Sequence, residues 1–249
     1  MFSSAVSARM FCDLAWAPDD VALGEDGLVV SDPDTGGSIP QLPWARLEAQ
    51  AIHDTFYPHA LHLGRTDDGR LSPGGEGTVE QVRAWLQSGS GAITHLACHG
   101  AVQPGKGDEP TSYLVLEGGR KLAAEDLVAA LTAERGRRLG LAVLAACSSG
   151  VTGRGYDEAY SIGTALLASG TRSVVSALWE VPDSATSVLM FMFHHFLRKL
   201  PAADALHAAQ LWMLRPDRKI PDSMPADLRE RIGDPTDETA WAGFVHAGR

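Results

Sequence analysis

Two short runs in the middle of the chain, residues 92–98 (AITHLAC) and 139–146 (LGLAVLAA), are almost wholly apolar. Runs this short and this apolar read as strands covered on both faces, the condition of a parallel sheet. Parallel neighbours need a long crossover between them, usually a helix. Helical patterns fall where crossovers are needed: 43–56 opened by Pro43, 78–87 capped by Thr78, 124–133, 157–169 ended by Gly170, 183–200, and 201–214 opened by Pro201. Further strands are predicted at 27–31, 59–63, 172–179 and 241–246, with a small hairpin over 113–122. Residues 64–77 and 100–111 read as loops. Residues 215–238 read as a polar stretch with a short helix near 225–232. The alternation predicts an α/β fold with a central, mostly parallel sheet and helices on both faces. Residues 21–249 are expected to form one domain, with 1–20 an N-terminal arm or edge element.

The net charge is −10, which disfavours nucleic-acid backbones as partners. Cys12, Cys98 and Cys147 are too few and too widely spaced for a disulfide framework, and a reducing compartment suits them. No run of 18 uncharged apolar residues is present, so no membrane span is expected. The N-terminus lacks a basic segment followed by an apolar one, so no secretion signal is read and the cytoplasm is the expected location.

The two apolar strands both end in reactive residues. One is followed by His99-Gly100, the other by Cys147-Ser148-Ser149-Gly150. Ligands bind beyond the carboxyl ends of parallel strands. If these two strands are parallel neighbours, His99 and Cys147 emerge on one edge, as a Cys/His acyl-transfer site requires. A thiol with pKa near ~8.5 is mostly protonated at neutral pH and needs an imidazole to take its proton. Gly100 has no side chain to keep an oxyanion from its amide, and the Cys147 N–H is the natural second donor.

The segments 94–100 (THLACHG), 143–150 (VLAACSSG) and 165–181 (ALLASGTRSVVSALWEV) together resemble the signature of CHAT domains, bacterial members of the caspase–separase group of cysteine peptidases. The CSSG and ALWEV segments are also similar to separase. The likeness runs from Pro43-Trp44-Ala45-Arg46 to Trp241-Ala242-Gly243-Phe244-Val245. It implies a caspase-like three-layer sandwich, with His99 as general base and acid, Cys147 as nucleophile, and Gly100 and Cys147 as oxyanion donors. It implies a protein substrate, gasdermin-like or another dedicated target, cut in regulated bacterial proteolysis such as defence or cell death, and possible control by a regulatory protein. The alternative is a catalytically silent CHAT-like module that binds and regulates a partner. The loops at 100–111, 148–157 and 215–238 are candidates for ordering on activation.

In separase-like members an acidic residue after the Leu-Trp pair binds a basic substrate side chain. Here Asp183 is the first choice and Glu180 the second, which predicts cleavage after Arg. Asp183 equally suits a helix N-cap. Asp157 and Glu158 are further candidates that also suit a first helical turn. Trp179 either packs in the sheet or lines the cleft.

The remaining features read as structural. A cysteine at a strand end is commonly a packed thiol. Cys98 should point away from His99's side of the strand, into the core. His95 precedes His99 by four residues, a metal-binding spacing only on a helix, so no metal or cofactor is expected. His53, His59, His62, His194 and His195 read as helix-surface or edge residues. The run 189–193 (LMFMF) reads as core of a long helix. No G-x-S-x-G or phosphate-loop motif is present.

Overall fold

A computed structural model describes residues 26–88, 91–104, 110–132, 139–145, 161–179, 181, 183–233 and 241–249, with Cys12, Trp16, Leu23 and Gly24 as isolated positions. Five of the strands are very short and wholly or mostly buried: β1 (Gly27–Ser31), β2 (Leu61–Gly64), β3 (Ile93–Ala97), β7 (Leu141–Leu144) and β8 (Ser173–Ala177). They pair in parallel, and β9 (Phe244–Gly248) closes one edge antiparallel to β8. The sheet order is β2-β1-β3-β7-β8-β9. The two apolar strands of the sequence, β3 and β7, are therefore adjacent at its centre, with Leu96 opposite Leu144.

Alternate residues of each strand feed opposite cores. Val29, Ile93, Val143 and Val175 pack against α1 (Pro43–Phe56), α5 (Asp183–Leu197) and α6 (Ala202–Leu214). Leu28, Leu96, Ala142 and Val174 pack against α2 (Val79–Ser88), α3 (Ala124–Thr132) and α4 (Ile162–Ala168). Three layers result, as the sequence predicts for strands apolar on both faces. Met190, Phe191, Met192 and Phe193 of α5 are fully buried, as core residues of a long helix. A four-residue helix, α7 (Ala226–Arg229), lies within the 215–233 segment.

Helix starts follow local chemistry. Thr78 Oγ1 accepts from the Gln81 amide (3.2 Å) while Gln81 Oε1 accepts from the Thr78 amide (3.1 Å), a reciprocal cap for α2. Ser161 caps α4 by accepting from the Thr164 amide at 3.1 Å. Helix α1 begins with Pro43 and has no side-chain cap from Leu42. A distant residue fills that role: Asp32 Oδ2 accepts from the Leu42 amide at 3.0 Å.

Two expectations are corrected. Residues 100–104 and 110–111 are not loop. They belong to a second sheet formed by β4 (His99–Pro104), β5 (Pro110–Leu116) and β6 (Arg120–Ala123), all antiparallel. The polar composition hid the strands, because this small sheet is apolar mainly where Leu114, Leu116 and Leu122 meet the core. Nor is His194 a helix-surface or edge residue; it is fully buried, whereas His62 lies, buried, on the edge strand β2.

His194 belongs to a polar chain that crosses the α1/α5 core. Glu48 Oε1 lies 2.8 Å from His95 Nε2, His95 Nδ1 lies 3.2 Å from His194 Nε2, and His194 Nδ1 lies 2.8 Å from the Tyr57 hydroxyl. Burial holds Glu48 well above the carboxylate range, lowers His95 to about 3, and lowers His194, which the neighbouring His95 pushes further down. All three shifts favour neutral forms, so Glu48 and His95 share a neutral hydrogen bond rather than an ion pair. Each member satisfies the next, which is how four polar groups remain in an apolar layer.

Candidate active site

The chain direction changes between β1 and β3. From β1 it moves outward to β2, then returns to β3 on the other side of β1 and continues to β7 and β8. The crevice at the carboxyl ends of β1 and β3 is the switch point where open α/β sheets bind ligands. His99 follows β3 there, one residue after Cys98, and opens β4. Its Nε2 lies 2.7 Å from the Pro40 carbonyl oxygen. A carbonyl can only accept, so Nε2 carries a proton, and in the neutral ring the lone pair is then on Nδ1.

Beside it, β7 ends at Leu144, opposite Leu96. In the sequence His99 follows Leu96 by three positions and Cys147 follows Leu144 by three positions. Neighbouring strands stand about 4.8 Å apart, so equal offsets from paired residues suit a side-chain pair across one edge. Cys147 itself lies outside the described residues, as do Asp157, Glu158, Glu180 and the Asp183 side chain. The backbone of Asp183 begins α5, so its reading as a helix-start residue agrees with the structure. Gly100 sits in β4 opposite Leu114.

Trp179 follows β8 at the same edge and is 41% exposed, with Leu178 similarly open. The Leu178 amide donates to the Gly243 carbonyl at 2.8 Å. A Cβ on Gly243 would stand 2.9 Å from the Trp179 Nε1, so only glycine leaves the indole its place. Trp179 is therefore a partly open apolar wall at the edge rather than a core residue.

Cys98 packs with Leu96 in the α2/α3 core, on the side expected of it. Burial, with the Asp32 carboxylate adding to it, pushes its thiol up to about 12. It cannot serve as a thiolate at neutral pH.

A family model described as the CHAT domain matches residues 1–249. The chain belongs to the CHAT family. CHAT domains are caspase-like and related to cysteine peptidases, which agrees with the three-layer sheet. No curated protein matches this CHAT chain. Among its described residues no group of three or more His, Cys, Asp or Glu could hold a metal ion, and no helix is long and apolar enough to cross a membrane.

Sequence reading missed three partners of the site. Pro40 contributes only a carbonyl, which no side-chain pattern reveals. Asp32 was legible as part of a turn-rich stretch but not as the cap of α1. Arg46 reads only as part of the helix that Pro43 opens, yet its Nε donates to Asp32 Oδ2 at 2.8 Å.

Proposed function

We propose that this CHAT domain is a cysteine endopeptidase with His99 and Cys147 as its dyad. The observation that carries the reading is the His99–Pro40 bond, which presents the Nδ1 lone pair at the edge where β3 and β7 end side by side. A histidine held by a backbone carbonyl through one nitrogen is oriented to act as a base through the other.

In the proposed reaction Nδ1 takes the Cys147 thiol proton and the sulfur attacks the scissile carbonyl. The negative charge develops on the carbonyl oxygen, toward the Gly100 and Cys147 amides. The C–N bond breaks as the imidazolium gives its proton to the leaving amine, which leaves a thioester. Water, deprotonated by Nδ1, attacks the thioester, and the thiol leaves with its proton restored.

The substrate of this reading is a partner protein, in regulated bacterial proteolysis of the defence or cell-death kind. Cleavage after Arg is part of the proposal, with Asp183 as the first pocket residue and Glu180 as the second. It is supported by the start of α5 at the same sheet edge and by the chain's net charge of −10. Trp179 would flank the peptide. Reading the protein as cytoplasmic follows from its need for a reduced thiol.

The test is a positional-scanning peptide library with the wild type and Cys147→Ala, together with labelling by a peptide electrophile. The reading expects hydrolysis after Arg and labelling in the wild type, both absent in the variant. A chain that binds its partner and regulates it equally well as Cys147→Ala, with no hydrolysis in either form, is a silent binding module.

A further inference from the structure

Among the described residues Asp32 is the one non-glycine with a left-handed backbone, at φ 35°. It is the first residue after β1, at the switch-point crevice, and is 2% exposed. Strained backbone of this kind persists only where the surroundings over-determine it. Three bonds do so here. The Asp32 amide donates to the Ala97 carbonyl, the last residue of β3, at 2.8 Å. Its Oδ2 accepts from the Leu42 amide at 3.0 Å and from Arg46 Nε at 2.8 Å.

These contacts close a loop. Asp32 and Leu42 stand at its two ends, and one carboxylate ties them together. Inside the loop Thr35 Oγ1 donates to the Ile39 carbonyl at 3.0 Å, and the Asp34 amide donates to Glu117 Oε2 at 2.8 Å. Pro40 lies two residues before the tie point at Leu42, and its carbonyl is the one that accepts the His99 Nε2–H. The turn at Asp32 brings its carboxylate back over the start of α1. An extended backbone there would aim the side chain elsewhere and open the loop.

We infer that Asp32 is a positioning residue for His99, acting through the loop 32–42 that sets the Pro40 carbonyl. The inference rests on the peptidase reading for its meaning, but not for its test. With the loop tied, His99 keeps its proton on Nε2 and its acceptor on Nδ1. With the loop untied, the carbonyl drifts, the imidazole loses its preference between tautomers, and a share of the molecules present Nδ1–H to the thiol instead of a lone pair.

Asp32→Asn is the informative variant. Asparagine tolerates the left-handed backbone and retains an acceptor for Leu42, but it removes the charged bond to Arg46. Imidazole nitrogen NMR of the full chain, with His99 assigned by its absence in His99→Gln, reads the tautomer directly. The wild type is expected to show the Nε2–H form with slow proton exchange. Asp32→Asn should show mixed tautomers and exchange at least about tenfold faster, since the positioning hydrogen bond is shared with water in a fraction of molecules. The acid limb of Cys147 alkylation by iodoacetamide should move to higher pH. If Asp32→Asn does not fold, Arg46→Met keeps the Asp32 backbone and its bond to Leu42, and an intermediate exchange rate is expected. A folded variant of either kind with the wild-type tautomer, exchange rate and alkylation profile overturns the inference, even if its melting temperature has dropped. Absence of hydrolysis in a wild type whose His99 spectrum is as expected would sink the peptidase reading and leave the role of Asp32 intact.

Discussion

The Pro40 carbonyl oxygen stands 2.7 Å from His99 Nε2, across 59 positions of sequence. One residue comes from the loop that follows β1 and the other from the end of β3. Their contact decides which nitrogen of the neutral imidazole can accept a proton.

Replacing His99 by Gln keeps a donor of similar reach toward Pro40 and removes the base. Positioned acid–base groups contribute about 10²–10⁴-fold to rate, so kcat on a peptide cleaved by the wild type should fall by about that factor with KM little changed. Steady-state kinetics on the purified variant checks it. Retention of more than about a tenth of the wild-type kcat would remove His99 from the chemistry.

Cys98 should resist alkylation in the folded protein. Its thiol is buried and pushed up to about 12, so almost none is thiolate at neutral pH. Iodoacetamide followed by peptide mass mapping should find it unmodified in native protein and modified in urea. Modification of native Cys98 at a rate like that of the exposed Cys12 would contradict its burial.

Tyr57→Phe should destabilise the fold by about 1–3 kcal/mol, because it leaves a buried nitrogen of His194 without its hydroxyl partner. Urea denaturation measures the loss. Glu48→Gln should cost less, since an amide can still meet His95 Nε2 at the same end of the chain. Equal stability of Tyr57→Phe and the wild type would mean that the buried chain does not depend on its terminal hydroxyl.

Stability should fall as the solution is acidified from pH 7 to pH 5. His62 and His246 are lowered to about 4 and His95 to about 3, chiefly by burial, and His194 is lowered too. Below pH 6.5 the unfolded chain takes protons on these four residues that the folded chain refuses. Unfolding therefore takes up protons, and stability drops with pH by about 1.4 kcal/mol per unit for each proton. Glu48 acts in the opposite sense. Its raised folded pKa makes the folded chain hold a proton that the unfolded one releases above its model value of 4.5, which offsets one histidine. Four groups against one set the sign. Urea midpoints at pH 7, 6 and 5 test it, and a midpoint that stays level or rises would reverse the assignment.

Gly243→Ala should disturb the edge without unfolding the sheet. The added Cβ would meet Val181 Cγ2 at 2.6 Å and the Trp179 indole at 2.9 Å. These are side-chain atoms, and Trp179 is partly open, so the indole can move outward. Acrylamide quenching of tryptophan fluorescence should rise, and KM for peptides should rise more than kcat falls. Unchanged quenching would mean that the indole does not rest on Gly243.

The order of strands and helices was legible because each rests on local chemistry. Pro43 and Pro201 pre-set helix entry, Thr78 is a ready N-cap, and strands buried on both faces must be apolar throughout, which is visible in residues 141–144 without any partner. The position of His99 just beyond the carboxyl end of such a strand was legible for the same reason. Tertiary structure alone decided the rest. The small sheet of β4, β5 and β6 carries its apolar residues only where it touches the core, so 100–111 looked like loop. In the chain Glu48–His95–His194–Tyr57 a single hydrogen bond spans 137 positions, and only packing reveals that each polar group has a partner. The contact to His99 uses a backbone carbonyl, which every residue possesses, and the carboxylate that ties the loop at Leu42 and Arg46 sits on a left-handed backbone. Side-chain identity specifies what a residue can do; which carbonyl meets which imidazole depends on how distant segments are brought together, and local sequence carries no record of that.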